Sequence, residues 1–348
     1  MCSSDLTKAE LPQRMQGMFS RADANHDGFL TRAELTIFDE QHPVPADALK
    51  ADALRQKMTE ESTAAWQSIL PKTKADLAKY KESIRPVLGV ALDRGFPATE
   101  EIVFTEIATT DAGTLKVLAS RVGRKSEGTQ IPVLSIYHPD KFDGRVAIWL
   151  DGAGKSALFT AEGQPIPAVQ KLADAGVAVC SADLFLTGEY LNAGEAPSYK
   201  VDEGFPGYTF GYNRPLLAHR VRDVLTLIKA ASLHEEVKTV HLVGTGDAGL
   251  PVLLARSVID SGVIRCLADL DGFAFSSVKT VDDLRLLPGA LKYGGIGGLT
   301  ITAAEGETSL YGCTANNAAE LAVWKQVSEK ALYEETLTPD AVAEALLK

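Results

Sequence analysis

Twelve residues near the N-terminus carry the clearest chemistry in the chain: Asp23-Ala24-Asn25-His26-Asp27-Gly28-Phe29-Leu30-Thr31-Arg32-Ala33-Glu34. Counted from Asp23, side-chain oxygens stand at positions 1, 3, 5, 9 and 12, and Phe29 offers its backbone carbonyl at position 7. A hard cation such as Ca2+ takes six to eight oxygens at about 2.3–2.6 Å, and this spacing wraps them around one point. Gly28 at position 6 allows the sharp turn, Thr31 at position 9 is often reached through water, and Glu34 can bind with both oxygens. The candidate metal ligands are therefore Asp23, Asn25, Asp27, Phe29, Thr31 and Glu34, with Ca2+ as the expected cofactor. The bland alternative is a solvated Asp/Asn turn that holds no metal.

Helical flanks are expected at Leu11 to Arg21 and Ala33 to Asp39, and with them the segment resembles an EF-hand. A short repeat points the same way. Leu6-Thr7-Lys8-Ala9-Glu10-Leu11 matches Leu30-Thr31-Arg32-Ala33-Glu34-Leu35 at a spacing of 24. Glu10 then stands at position 12 of an earlier loop. Positions 5 and 6 of that loop fall on Ser3 and Ser4, which break the pattern. The expectation is a truncated first hand on an incomplete chain, with any signal peptide lost with it. One loop without its partner should bind weakly, since even extracellular modules sit at about 10⁻⁴–10⁻³ M.

A second run with chemical potential is Gly244-Thr245-Gly246-Asp247-Ala248-Gly249. Its setting decides its meaning. Residues 41–83 read as a helical connector, with Pro43 and Pro45, helical charge patterns at Asp47–Met58 and Lys74–Lys81, and Trp66, Leu70 and Leu77 available to pack. From residue 84 the pattern changes. Residues 101–121 and 131–137 alternate and favour β-branched types, with a turn at Asp111-Ala112-Gly113, as antiparallel strands do. Short apolar runs then alternate with helical stretches. The runs are Val146–Leu150, Val177–Ala182, Val237–Val243 and Ile264–Asp271. The helices are Ile166–Ala175, Pro215–Ala231 and Leu250–Ser261. That alternation predicts a mostly parallel sheet covered by helices on both faces. Two further helices are expected at Ala318–Tyr333 and Pro339–Leu347. The domain reading is 1–40, 41–83 and 84–348.

Four stretches give the large domain a family likeness. They are GVAVCSADLFLTGE (176–189), FGYNRPLLAHRVRDVLTLIKA (210–230), VHLVGTGDAGLPVLLA (240–255) and LPGALKYGG (287–295). In this order they resemble the α/β-hydrolases grouped with acetyl xylan esterases and dienelactone hydrolases. The resemblance implies an α/β fold and an ester hydrolase acting on acetylated carbohydrate. It also implies a G-x-S-x-G elbow, in which a sharp turn lifts the nucleophile to the end of the sheet. Here Gly246 stands where the serine would. The family's histidine should follow the elbow, but the histidines are at 26, 42, 138, 219, 234 and 241. The triad is missing on two counts. Asp247 is the remaining candidate nucleophile, one residue along the elbow; otherwise it caps the next helix. His138 or His219 could stand in for the missing base. Gly152 and Ala153, in the loop after Val146–Leu150, and Gly246 and Ala248 are the elbow and oxyanion-loop positions the resemblance implies.

Two rival readings share these glycines. Gly244-Thr245-Gly246-Asp247-Ala248-Gly249 is also G-x-G-x-x-G after a strand, with Asp269 and Asp271 about 20 residues on, as in a dinucleotide fold. Two strand–helix units already precede it, which suits that fold poorly. Gly152-Ala153-Gly154-Lys155-Ser156 resembles the end of a phosphate loop, but the required first glycine falls on Trp149. Lys155 reads as solvated, Arg214 as a partner for Asp183 or Glu189, Asp183 as a holder of loop backbone, and Tyr208, Phe210 and Tyr212 as pocket or packing residues. Trp149 and Cys180 read as core.

Composition bounds the rest. The chain has 348 residues, 35 Lys and Arg against 46 Asp and Glu, and a net charge of −11. An acidic surface argues against nucleic acid and anionic membranes. No apolar run is long enough to span a bilayer. Cys2, Cys180, Cys266 and Cys313 form no CxxC pair, so no zinc site is indicated. The expectation is a calcium-binding EF-hand segment on a degenerate α/β-hydrolase that binds carbohydrate or protein. The alternatives are an active ester hydrolase through Asp247 and, less favoured, a dinucleotide-binding oxidoreductase. Calcium-dependent order suits export.

Overall fold

The computed structural model describes every residue except 1–4, 12, 14, 15, 42, 44, 46, 93, 94 and 203, and the side chain of residue 39. Ser3 and Ser4, where the first loop breaks its pattern, lie outside the described residues. The chain forms two compact units, Met1–Glu60 and Glu61–Lys348.

In the first unit β1 (Leu6–Thr7), α1 (Phe19–Ala22), β2 (Phe29–Leu30) and α2 (Arg32–Gln41) follow one another. β1 and β2 pair antiparallel, Leu6 opposite Leu30 and Thr7 opposite Phe29. The two copies of the sequence repeat therefore lie side by side. Leu11, Phe19, Ala22 and Leu30 make a small core, with Leu35 and Phe38 against it. Of the helix expected at Leu11–Arg21, residues 12, 14 and 15 lie outside the described residues, and among the rest only residues 19–21 are α-helical, after Gly17, a poor interior helix residue.

α3 (Ala51–Ile69) carries the chain into the second unit. α4 (Leu77–Ala91) buries Leu77, Tyr80, Ile84 and Leu88, one stripe at helical spacing. Trp66 and Leu70 pack on the same core, and Trp66 meets the rings of Tyr80 and Tyr293 edge-on at 5.9 and 4.9 Å. The second half of the connector is thus part of the body it was expected to pack on.

The eight-stranded sheet comprises β3 (Ile102–Ala112), β4 (Leu115–Arg124), β5 (Ile131–Tyr137), β6 (Arg145–Asp151), β7 (Val177–Ala182), β8 (Thr239–Thr245), β9 (Val263–Asp269) and β10 (Glu307–Tyr311), in the order β10-β9-β8-β6-β7-β5-β4-β3. β3, β4, β5 and β7 pair antiparallel; β7, β6, β8, β9 and β10 pair parallel. Helices α5 (Pro167–Asp174), α6 (Pro206–Tyr212), α7 (Leu216–Ser232), α8 (Gly249–Val258), α9 (Gly295–Thr300), α10 (Ala322–Ser328) and α11 (Pro339–Leu347) complete the unit. Alternation along β6 separates two cores. Ile148 and Leu150 join the core of α4, α7 and α8, while Ala147 and Trp149 join that of α5 and α11.

The expected strands and helices are present, with shifted ends. β8 starts at Thr239 and runs on through Gly244 to Thr245. β10 was not expected, because Glu-Thr-Ser-Leu-Tyr is short and polar for a strand. Within the helix expected at Ala318–Tyr333 only Ala322–Ser328 is α-helical.

Ile148 is fully buried in β6, between β7 and β8. Ile148→Ala should cost about 2–5 kcal/mol, read as a lower urea midpoint for the large unit. A cost under about 1 kcal/mol would mean that the core repacks around the gap.

Candidate active site

The parallel strands end in a row of polar residues. β8 gives way at Thr245 to a single 3₁₀ turn, Gly246–Ala248, and α8 starts at Gly249. Three glycines shape this elbow differently. A Cβ on Gly244 would lie 2.7 Å from the Ala248 carbonyl oxygen, and one on Gly249 would overlap the Asp269 carbonyl. Gly246 has φ +55°, the left-handed region, yet a Cβ there would meet nothing closer than the Gly152 nitrogen at 3.8 Å. The apex therefore has room for a side chain and does not carry one.

Asp247 is exposed beside this apex. It does not cap the next helix: the residue at the N-cap of α8 is Ala248, with no side-chain capping bond. Ala248 itself is buried. The oxyanion-loop donors are committed elsewhere. Gly152 N–H donates to Thr245 O at 3.1 Å, and Ala153 N–H donates to Asp151 Oδ1 at 2.8 Å. Asp151 Oδ2 accepts from Thr245 Oγ1 at 2.6 Å, and Thr245 Oγ1 also accepts from Trp149 Nε1 at 3.3 Å.

The expected substitutes for histidine divide. β5 runs antiparallel to β7, so His138, after its end, lies at the opposite edge of the sheet. His219, in the first turn of α7, stands at the elbow edge with its ring 5.1 Å from that of Phe185. The neighbouring Arg220 is buried, donates to the carbonyls of Phe185 and Leu186, and feels the charge of Asp247.

Two sequence readings need correction. Lys155 is buried rather than solvated. Its Nζ bonds Asp183 and reaches Glu189 at 2.5 Å. Asp183 also takes the N–H groups of Lys155 and Glu189 at 2.8 and 3.0 Å, which is the backbone-holding role expected of it. Arg214 does not pair with either acid; it faces Glu127 at 3.8 Å, and Arg222 binds the same carboxylate. Tyr208 and Tyr212 are exposed on α6, and Trp149 is core. Asp269, the acid a dinucleotide fold would turn to a ribose, is buried and accepts from Asp271 N–H and Leu337 N–H at 2.9 and 2.8 Å.

The network under this edge was not legible in the sequence. Asp223, on α7, is buried and accepts the Phe185 N–H at 2.8 Å. Burial pushes its carboxyl up to about 7, against that N–H and the guanidinium groups of Arg124, Arg220 and Arg222. Burial, then the charge of Arg222, lowers Arg124 to about 10.

In the first unit, His26 and Gly28 take positive φ, 58° and 85°, and the loop closes on itself. Asp23 is buried; its Oδ2 accepts the Gly28 N–H at 3.1 Å, while its Oδ1 has no hydrogen-bond partner. Asn25 Oδ1 accepts from Asp27 N–H, and Asp27 Oδ1 from Phe29 N–H, at 3.0 and 2.9 Å. Thr31 N–H and Oγ1 donate to Glu34 Oε2 at 3.0 and 2.8 Å. Thr7 and Glu10 repeat that box at 2.8 Å each. These bonds from threonine hold both carboxyls below the usual range. Among the described residues, no group of three or more His, Cys, Asp or Glu side chains is gathered for a metal.

The sheet order, the helices on both faces and the strand–elbow–helix at its centre define an α/β-hydrolase-like fold. A Bacteroides fragilis protein proposed to be an acetyl xylan esterase superposes with a TM-score of 0.57 at 10% identity, over 83% of this chain and 82% of its own. Methylesterase BT1017 superposes at 0.52 and 15% identity, over 83% and 67%. At such identities the likeness is one of fold. No protein-family model and no curated protein sequence matches the chain.

Two predictions follow from this geometry. Gly249→Ala should destabilise the large unit far more than Gly246→Ala, for which the left-handed backbone alone costs about 1–2 kcal/mol; equal losses in urea unfolding would contradict the packing described. A carboxyl whose folded pKa is raised contributes stability at low pH and loses it as pH rises from about 4 to about 7. Asp223→Asn should remove that part of the pH slope, and an unchanged slope would exclude the group.

Proposed function

We propose that the large unit binds a neutral, ester-bearing carbohydrate at the elbow edge without serine–histidine hydrolysis, and that the first unit binds Ca2+. The observation that carries the first half is Gly246: the apex has space for a nucleophile and none is present, and no histidine follows it. Asp151 and Asp247 supply carboxylate acceptors at this edge, which suit hydroxyl donors and repel an anionic sugar. The ester class is suggested by proteins of similar fold, one proposed to be an acetyl xylan esterase and one a methylesterase.

Hydrolysis by a carboxylate is the second reading. The similar folds favour it, because they are described as esterases, and Asp247 lies exposed at the elbow. A base to activate water is the missing part. Calorimetry with an acetylated xylo-oligosaccharide separates the two. Binding without acetate release, weakened by Asp247→Asn, supports the first reading. Acetate release that Asp247→Asn abolishes supports the second. No binding and no release would sink both.

For calcium, the donors are all oxygen, and the buried Asp23 Oδ1 without a partner is an acceptor awaiting a cation. Glu34 would have to leave its bonds to Thr31 to bind with both oxygens, which should keep affinity low. A calcium site of this strength suits an exported protein. Among the described residues no helix is long and apolar enough to cross a membrane. Titration should show one weak Ca2+ site, weakened about tenfold or more in Glu34→Gln, where each tenfold is about 1.4 kcal/mol. Wild-type protein that binds no Ca2+ at millimolar levels would overturn this half.

A further inference from the structure

At the edge of the sheet opposite the elbow, beneath α7, lies a cavity of about 470 Å³. Its floor is the sheet itself: Leu118, Val122, Val133, Val146 and Ala178. Its roof is the last turn of α7 and the segment after it, through Leu227, Ala230, Ala231 and Val237. Val146 and Ala178 are partners in register near the starts of β6 and β7. From Val146 to Asp151 the strand advances roughly 16 Å at ~3.3 Å per residue. The cavity is therefore separate from the elbow.

Three alanines keep it open. Ala178 comes from the sheet, and Ala230 and Ala231 come from the helix end that covers it. Larger side chains at these positions would close the gap and complete the core. The lip is apolar as well. Ile102 and Phe104, on one side of strand β3, both line the cavity, and Phe104 is 54% exposed. One polar side chain, Ser135, stands on the floor in β5, and the others sit where the chain turns. Tyr137 ends β5, and His234 and Glu236 follow α7. His234 Nδ1 accepts the Glu236 N–H at 3.4 Å, so the neutral ring carries its hydrogen on Nε2 and presents a donor.

We propose that this cavity is a binding site for an uncharged amphiphile: an alkyl or aryl body carrying one hydroxyl. The volume lies in the range of small-molecule sites, which are apolar with a few polar groups. The floor and roof, apolar but for Ser135, leave most of a sugar's hydroxyls without partners, so the site does not duplicate the carbohydrate reading. His234 and Glu236, both exposed, offer a hydroxyl a donor and an acceptor, whereas a carboxylate head would be repelled by Glu236.

The test uses the full chain with N-phenyl-1-naphthylamine, a neutral apolar fluorophore, and 1-decanol as competitor. Saturable fluorescence gain, reversed by decanol and not by decanoate at the same concentration, is expected. Ala231→Trp, at the half-buried end of α7, should weaken the probe by about tenfold or more through steric filling, with its folding checked by circular dichroism. A second readout needs no variant. Cys180 lines the cavity, and decanol should slow its alkylation by N-ethylmaleimide, followed by mass spectrometry of the peptide. No saturable signal, unchanged probe binding in a folded Ala231→Trp, or alkylation of Cys180 indifferent to decanol would each overturn the proposal. Displacement by decanoate as strong as by decanol would overturn the assignment of an uncharged head.

Discussion

In the large unit α8 starts hard against the sheet. Gly249 leaves no room for a Cβ above the Asp269 carbonyl, and Gly244 leaves none below the turn. This contact sets where β8 must stop and where α8 must start. It also holds the Asp269 end of β9 against the elbow. The Asp269 carboxylate then ties Asp271 and Leu337 by their N–H groups. Much of the carboxyl edge of the sheet is built outward from two glycines and one buried acid.

The loops beside the elbow depend on a different force. Lys155, Asp183 and Glu189 join the loop after β6 to the loop after β7. Asp223 and Arg220 on α7 hold the Phe185–Leu186 turn from below. Buried charges are costly unless each is matched and hydrogen-bonded, so removing one member leaves its partner exposed to the full penalty. These clusters make the edge stiff, and they also leave it few uncommitted donors. The N–H groups of Gly152 and Ala153, which an oxyanion would need, are already spent on Thr245 and Asp151.

The sheet was legible because its strands are apolar runs between turn residues: Val177–Ala182 is a strand at both ends as read. β10 was not, because a polar edge strand has no pattern to distinguish it from a loop. The elbow was legible because glycine spacing is a backbone requirement written directly in the sequence. The ion pairs were not. Lys155 looks like any surface lysine until the fold brings Asp183 from 28 residues away, and Arg214 found Glu127 rather than the acids nearer in sequence. Contacts between side chains far apart in the chain leave no local signal. The EF-hand-like repeat sits between these cases: the pairing of Thr7 with Phe29 follows the repeat, but the gathering of ligands around a cation does not follow from spacing alone.

The three elbow glycines answer different demands. Those at 244 and 249 are required in this chain by packing, whatever chemistry the elbow performs. The one at 246 is not required by space, since a Cβ there meets no atom within ordinary contact distance except at its limit, 3.8 Å from Gly152. It is compatible with the left-handed turn, but so is the serine of a hydrolase elbow, which bears the same strain to place its oxygen. The fold therefore stays intact whether or not position 246 carries a nucleophile. That separation explains how a chain can share the architecture of esterases while its apex holds no reactive atom. Whether this chain cleaves an ester is therefore decided at the apex itself, by the groups around Asp247, and not by the packing that the fold shares with esterases.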